Sequence, residues 1–189
     1  TGAQDLTLGF VGTNGTVVNP TTGGVTSIDG SAATGKLAIN LANVNGVTAG
    51  LTVKVGAGDD TITTSTAATT LTGGAGKDTF AVTLTAYGAD KNITTITDFA
   101  SGDNVITGAT AGAITKVTLG VGVTTLDSAL TAATATASAT TWFQYSGDTY
   151  VVTNDATIGI GATDVVVKLS GLIDLTNAAV TGAGLHLAA

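Results

Sequence analysis

Apolar and polar positions alternate along this chain in short bursts with turn residues between them. The clearest bursts are Thr52–Val55, Thr61–Thr63, Phe80–Leu84, Val151–Thr153 and Val165–Leu169. Each is a few residues long, rich in Thr, Val and Ile, and bounded by Gly, Asn or Asp. That is the period-two pattern of short strands punctuated by tight turns. Residues 1–106 hold almost nothing helical, and the only Pro, Pro20, sits in the loop-like Asn19–Gly24. The spacing predicts one helix, Leu126–Ala139. Thr125 is placed to cap it, Asp127 falls in its first turn, and Leu126, Ala129, Leu130 and Ala133 form one apolar stripe. A hairpin follows, with Trp142–Tyr145 and Thr149–Val152 joined through Ser146-Gly147-Asp148. Beyond the strand at Asp164–Leu169 the chain runs into a small-residue tail containing Leu185 and His186. The pattern therefore predicts a mostly β protein in two parts: a solenoid over 1–106, and over 107–189 a smaller β-rich module with one short helix.

Within the first part the turns repeat. Gly56-Ala57-Gly58-Asp59-Asp60-Thr61-Ile62-Thr63 aligns with Gly74-Ala75-Gly76-Lys77-Asp78-Thr79-Phe80-Ala81 at an offset of 18 residues, two units of nine. Both follow G-G-x-G-x-D-x-U-x, with Val55 opening the first unit where Gly73 opens the second. The unit between, Thr64–Thr72, keeps the length and the apolar Leu71 but has lost its glycines and Asp. In a nine-residue unit, six residues turn and three form a strand whose middle side chain points inward. Two units complete one coil, so residues 18 apart stack about one strand spacing (~4.8 Å) from each other. Asp60 and Asp78 then share one edge, and the degenerate turn falls on the other. Glycine turns leave backbone carbonyls unshielded. Stacked carbonyls and carboxylates are hard oxygen ligands, suited to Ca²⁺ rather than Zn²⁺. Two Asp facing each other across a short gap repel, so an ion between them couples binding to folding.

Composition narrows the function. The 189 residues carry 13 acidic and 6 basic side chains, a formal charge of −7, with 43% hydrophobic and 10% charged residues. Every acid is Asp and every base is Lys. So acidic a chain lacks the basic footprint of a nucleic-acid binder. No apolar run approaches the ~20 residues of a membrane-spanning helix. With no Cys there is no disulfide, thiol nucleophile or Cys-ligated zinc, and a metal is the natural substitute for disulfides in a secreted protein. The absence of a start Met and of a signal peptide at Thr1 suggests a fragment or a processed piece.

These repeats resemble those of the RTX proteins, which bacteria export by type I secretion and which fold into a calcium-bound parallel β-roll. Ile96-Thr97-Asp98-Phe99-Ala100-Ser101-Gly102-Asp103-Asn104-Val105-Ile106 is similar to the I-x-D-F-x-x-G-D-x-I stretch that follows the last repeat in many of them. Ser27–Leu37 resembles the degenerate rungs of large RTX surface-layer proteins and adhesins. Trp142–Leu175 resembles the terminal domains of type I-secreted surface proteins. The resemblance implies one calcium site with carbonyls from Gly56 and Gly58, the Asp60 carboxylate, carbonyls from Gly73 and Ala75, and the Asp78 carboxylate. It implies a second from Gly74, Gly76 and Asp78, closed by Asp98 or Asp103, and one to three ions in all. The function implied is a non-enzymatic, calcium-stabilised structural domain of a surface-layer protein on a Gram-negative bacterium. It would assemble with identical subunits and carry an uncleaved C-terminal signal for the type I secretion machinery. Two alternatives stay open: the export tail of a secreted RTX protease or lipase, and the C-terminal region of an RTX adhesin.

Other features have simpler readings. Gly56-Ala57-Gly58 is not a phosphate loop, because no Gly-Lys-Ser/Thr follows and no helix opens there. No G-x-S-x-G elbow accompanies the lone His186, which reads as a surface or tail residue. Asp148, Asp155 and Asp164 read as turn residues rather than a catalytic carboxylate pair. Trp142, Phe143, Tyr145 and Tyr150 read as the core of the second module, with an exposed, glycan- or subunit-binding aromatic patch as the alternative. The Thr pairs of Thr61–Thr72 are too few and irregular for an ice-binding face.

Overall fold

The computed structural model describes residues 6–9, 26–42, 50–65, 67–82, 87, 92–108, 112–181 and 184–186. The expected Asn19–Gly24 loop and the Thr83–Leu84 end of one expected strand lie outside them. The described chain is mostly β. In order come β1 (Leu6–Gly9), β2 (Ser27–Asp29), β3 (Leu37–Asn40), β4 (Leu51–Lys54), β5 (Thr61–Thr63), β6 (Thr69–Thr72), β7 (Thr79–Ala81), β8 (Thr94–Ile96) and β9 (Asn104–Ile106). Then follow β10 (Gly112–Ala113), β11 (Thr115–Lys116), α1 (Leu126–Ala133), β12 (Thr140–Tyr145), β13 (Asp148–Thr153), β14 (Val165–Leu169), β15 (Ala179–Thr181) and β16 (Gly184–His186).

These strands form two eight-stranded mixed sheets, β1-β3-β5-β7-β9-β16-β15-β10 and β11-β12-β13-β14-β8-β6-β4-β2. From β2 to β9 the chain alternates between them, leaving one short parallel strand in each as it winds. In one sheet Ile39, Ile62, Phe80 and Val105 stand in register; in the other Ile28, Val53, Leu71 and Ile96 do. In β5, β7 and β9 alternation sends the middle residue inward and its neighbours outward, while in β8 it is the third residue, Ile96, that faces inward. Ile62, Leu71, Phe80, Ile96 and Val105 are accordingly buried in one core between the sheets. The degenerate unit still delivers Leu71 to that core.

Past residue 106 both sheets continue. β14 adds parallel to β8, and β13 and β12 follow antiparallel. β16 adds antiparallel to β9, followed by β15. The expected hairpin turns at Ser146 and Gly147 (φ 52° and 88°), with Tyr145 opposite Asp148. Two consecutive positive φ values are what a tight two-residue hairpin turn needs. The region expected as a tail is itself a hairpin: Val180 and Leu185 are buried against the core, and the His186 backbone pairs with Asn104.

The aromatic cluster divides between two cores. Trp142, with Val151 and Val167, faces the core between the sheets. Phe143 and Tyr150 stack at 5.2 Å on the opposite face. There, with Val152 and Val166, they pack against Ala129, Leu130 and Ala133 of α1 and against Tyr87. Tyr145 packs at the margin of this outer cluster. Tyr87 donates its hydroxyl to Asp127 at 2.7 Å, and burial together with that carboxylate raises its pKa. The helix starts where expected, with reciprocal Thr125 and Ser128 capping bonds. It ends at Ala133 rather than Ala139. Thr134 caps it, and the Asn154 side-chain amide takes the carbonyls of Thr134 and Thr136. Those bonds, and the crowding of β-branched Thr, divert the backbone from a further helical turn. No helix among the described residues is long and apolar enough to cross a membrane.

Phe80 is wholly buried midway along the winding strands, with Ile62 and Val105 beside it. Phe80→Ala is expected to cost about 3–5 kcal/mol of stability, read as a lower urea midpoint with an unchanged denaturant slope.

Candidate metal centre

Four connections run from one sheet to the other along a single edge: residues 30–36, 55–60, 73–78 and 97–103. They stack through backbone bonds. Ala57 donates to Ala33 O (2.9 Å), Ala75 to Gly56 O (2.9 Å), Thr79 to Asp60 O (2.8 Å) and Asn104 to Asp78 O (2.8 Å). Glycine is required where the turns touch. A Cβ on Gly74 (φ 87°) would overlap Gly56 O, and one on Gly76 (φ 134°) would overlap Gly58 O. Positive φ and close approach both exclude larger residues here.

The Asp side chains form a ladder along this edge. Asp60 accepts from the backbone N–H groups of Leu37 (2.6 Å) and Gly56 (3.1 Å). Asp78 accepts from the N–H of Asp60 (2.9 Å), and Asp103 from those of Asp78 (2.9 Å) and Ala100 (2.9 Å). All three carboxylates are buried, at 1%, 2% and 4% exposure. Asp98 takes the N–H groups of Gly73 (3.0 Å) and Gly74 (2.7 Å). Asp59, on the outer rim, accepts from Lys77 N at 2.8 Å.

The electrostatics follow from this crowding. Burial pushes the Asp78 carboxyl up to about 7 from 3.8, helped by the negative charges of Asp103, Asp60 and Asp98 and opposed by the Asp60 N–H. Burial raises Asp103 as well, with Asp98 adding to it and the N–H groups of Asp78 and Ala100 opposing.

All ten residues singled out in the sequence lie on this edge. Gly56, Gly58, Gly73, Gly74, Ala75 and Gly76 form the two stacked turns, Asp60, Asp78 and Asp103 the ladder, and Asp98 the bridge to the Gly73–Gly74 amides. Val55 is a core residue, which is why no glycine is needed in its place. The turn through Ala33 and Gly35 belongs to Ser27–Leu37, the segment that resembles a degenerate rung, but its place in this column was not among the expected site positions. Its coil is longer than 18 residues, so it falls out of the repeat register, although Gly58 packs directly on Gly35. The full ladder role of Asp103 was missed for the same reason.

The donor set matches a hard cation in kind, being carboxylate and carbonyl oxygen throughout. It is not a ready cage of side chains. Among the described residues no group of three or more His, Cys, Asp or Glu converges as metal ligands. Each ladder carboxylate already spends oxygen lone pairs on amides, and Gly56 O accepts from Ala75. An ion here would draw on the remaining lone pairs of these carboxylates and on turn carbonyls. In the second part, Asp164 and Asp148 are bound differently. Asp164 accepts from Asp155 N (2.8 Å) and Gly161 N (2.6 Å), and Asp148 from Gly171 N (2.9 Å) and Lys168 Nζ (2.9 Å).

Neither the protein-family models nor the curated proteins searched gave a match to the chain.

Two outcomes follow. Gly74→Ala is expected to destabilise by about 2–4 kcal/mol, because a left-handed residue is made to carry a Cβ into a backbone carbonyl; chemical denaturation measures it. The second concerns pH. Asp78 binds its proton more tightly folded (about 7) than at its ordinary 3.8. Its contribution is full below 3.8 and lost as pH rises through about 7. In chelator, the melting temperature is expected to rise as pH is lowered from 8 to 5, and Asp78→Asn to flatten the rise. Asp29, Asp148, Asp155 and Asp174, all held below their ordinary value, stay ionised across that window and do not contribute.

Proposed function

We propose that this chain is a non-enzymatic, calcium-stabilised β-roll from a secreted bacterial surface-layer protein of the RTX kind. The observation that carries the reading is the ladder Asp60–Asp78–Asp103, three buried carboxylates one coil apart among carbonyl-bearing turns. Such a column of like charge is costly to bury. The groups that shift Asp78 are carboxylates and a backbone amide, with no lysine among them. A divalent cation held by oxygen ligands supplies the missing positive charge.

The residues would work as a folding switch. At low calcium, repulsion along the ladder opposes closure of the turns and keeps the chain extended for export through the type I machinery. Outside the cell, binding to the folded turns adds about 2.7 kcal/mol per site at a hundredfold excess over the dissociation constant. The C-terminal strands that continue both sheets would carry the export signal while covering one end of the roll, and identical subunits would assemble into the coat. The pairing of β14 with β8 and of β16 with β9 suits that capping role.

The test is a calcium titration followed by circular dichroism and thermal melting. Calcium is expected to raise both β signal and melting temperature, and chelator to reverse the change. Asp60→Ala and Asp78→Ala should shift the midpoint to higher calcium by tenfold or more. A melting temperature indifferent to calcium, chelator and both substitutions would refute the reading.

A further inference from the structure

Both sheets stop at open strands. One runs from β1 to β10 and the other from β2 to β11, and among the described residues nothing pairs with the outer sides of these four strands. Ser27 and Asp29 of β2 are exposed, as are Thr115 and Lys116 of β11. An unpaired outermost strand is a template for another chain, and proteins commonly guard it with Pro, a bulge or a projecting lysine. β2 carries no such guard. Lys116 is drawn back over the Trp142 ring, its Nζ 4.6 Å from the centroid, so its charge lies over the ring rather than beyond the strand.

The free backbone groups at the two ends match in one register. Thr52 N donates to Thr26 O (3.0 Å) and Gly30 N to Lys54 O (2.7 Å). Alternate residues of β2 therefore bond to β4, and Ser27 and Asp29 turn their N–H and C=O groups outward. On β11, Val117 N donates to Trp142 O (2.8 Å), so Lys116 is the residue that turns both groups outward. In a parallel pairing with Lys116 opposite Ile28, Lys116 N–H reaches Ser27 O and Asp29 N–H reaches Lys116 O. The side chains agree with that register. Ile28 packs against the core between the sheets, and Lys116 stands on the same face, beside the buried Trp142. Strand direction agrees as well. Two antiparallel steps, β12 to β13 and β13 to β14, separate β11 from β2 and every other step is parallel, so the two strands point the same way.

We propose that this chain binds a second copy of itself head to tail, β2 of one copy adding to β11 of the next and β1 adding to β10. Each sheet has eight strands, so one shift of eight places continues both sheets at once. At one strand spacing per place that shift is about 38 Å. Charge favours unlike ends. Asp29 and Lys116 are the only charged residues on the four outermost strands. Joining like ends brings two charges of one sign together, and joining unlike ends brings one of each. A head-to-tail contact of this kind does not close on itself, so it builds rows of subunits. This deepens the proposed assembly of identical subunits and rests on that part of the reading alone.

The test uses the full chain in calcium buffer. In sedimentation velocity the average sedimentation coefficient is expected to rise between roughly 10 μM and 1 mM, as for a small, weak contact. Electron microscopy should show rows repeating at about 38 Å. Asp29→Pro and Lys116→Pro each remove one outward N–H, which an outermost strand tolerates. Each variant should keep the parent's melting temperature and, alone, associate at least tenfold more weakly. Mixed one to one, they should form dimers and nothing longer, because each contributes its one unblocked end. Asp29→Lys leaves the N–H groups of β2 in place and should also weaken association. The proposal is overturned if the folded parent stays monomeric at every concentration, if either Pro variant alone associates as the parent does, if the mixture stays monomeric, or if Asp29→Lys has no effect. Failure of the calcium reading shows instead as a melting temperature indifferent to calcium, so the two are read separately.

Discussion

The winding part of this molecule depends on one interaction, the bond from a backbone N–H in one coil to an Asp carboxylate in the next. Strands of three or four residues offer few ladder bonds, and pieces so short do not hold a sheet together unaided. The corners must therefore be locked coil to coil. Asp78 reaching the N–H of Asp60, and Asp103 reaching that of Asp78, do this at the level where the sheets meet. The bonds also fix register, since a slipped coil would leave a buried carboxylate without its amide.

This lock dictates composition. The acceptor must span a single coil spacing from a turn residue, which suits the short Asp side chain, and the chain contains no Glu at all. The neighbouring turn must come close enough for the bond, so its contact positions are glycine, as Gly74 and Gly76 show against the carbonyls of Gly56 and Gly58. Burial is the cost, visible in the raised Asp78 and Asp103 carboxyls. The same geometry that holds the coils together leaves them with negative charge to neutralise.

What was legible in the sequence was whatever repeats at constant length. The Asp60 and Asp78 turns announced their stacking through an offset of 18, and Ile62, Leu71 and Phe80 were placed inside by alternation. The Ser146–Gly147 hairpin was legible because that turn demands particular residues. The rest was obscured wherever tertiary contacts decide. The Ala33–Gly35 turn stacks in the same column, but its longer coil hides the register. The helix end is set by Asn154, some twenty residues away, which no local pattern reveals. The division of Trp142 and Phe143 between two cores depends on α1 covering the outer face of one sheet.

The two edges carry different constraints, and this accounts for the uneven decay of the repeat. On the acidic edge the turns must pack closely on one another, and those at 55–60, 73–78 and 97–103 must each supply a carboxylate aligned with an amide of the neighbouring coil. On the opposite edge the connection between β5 and β6 is held by ordinary bonds, with Thr64 N on Ala81 O and Ala67 N on Ser65 Oγ. These bonds need no glycine at a fixed place, so Thr64–Thr72 could lose its turn residues while keeping Leu71 in the core. That freedom also lets the opposite edge accept irregular connections such as β13–β14, which the first edge could not accommodate without breaking its ladder. Regularity thus stays where coils must lock, and variation collects where the fold makes no such demand.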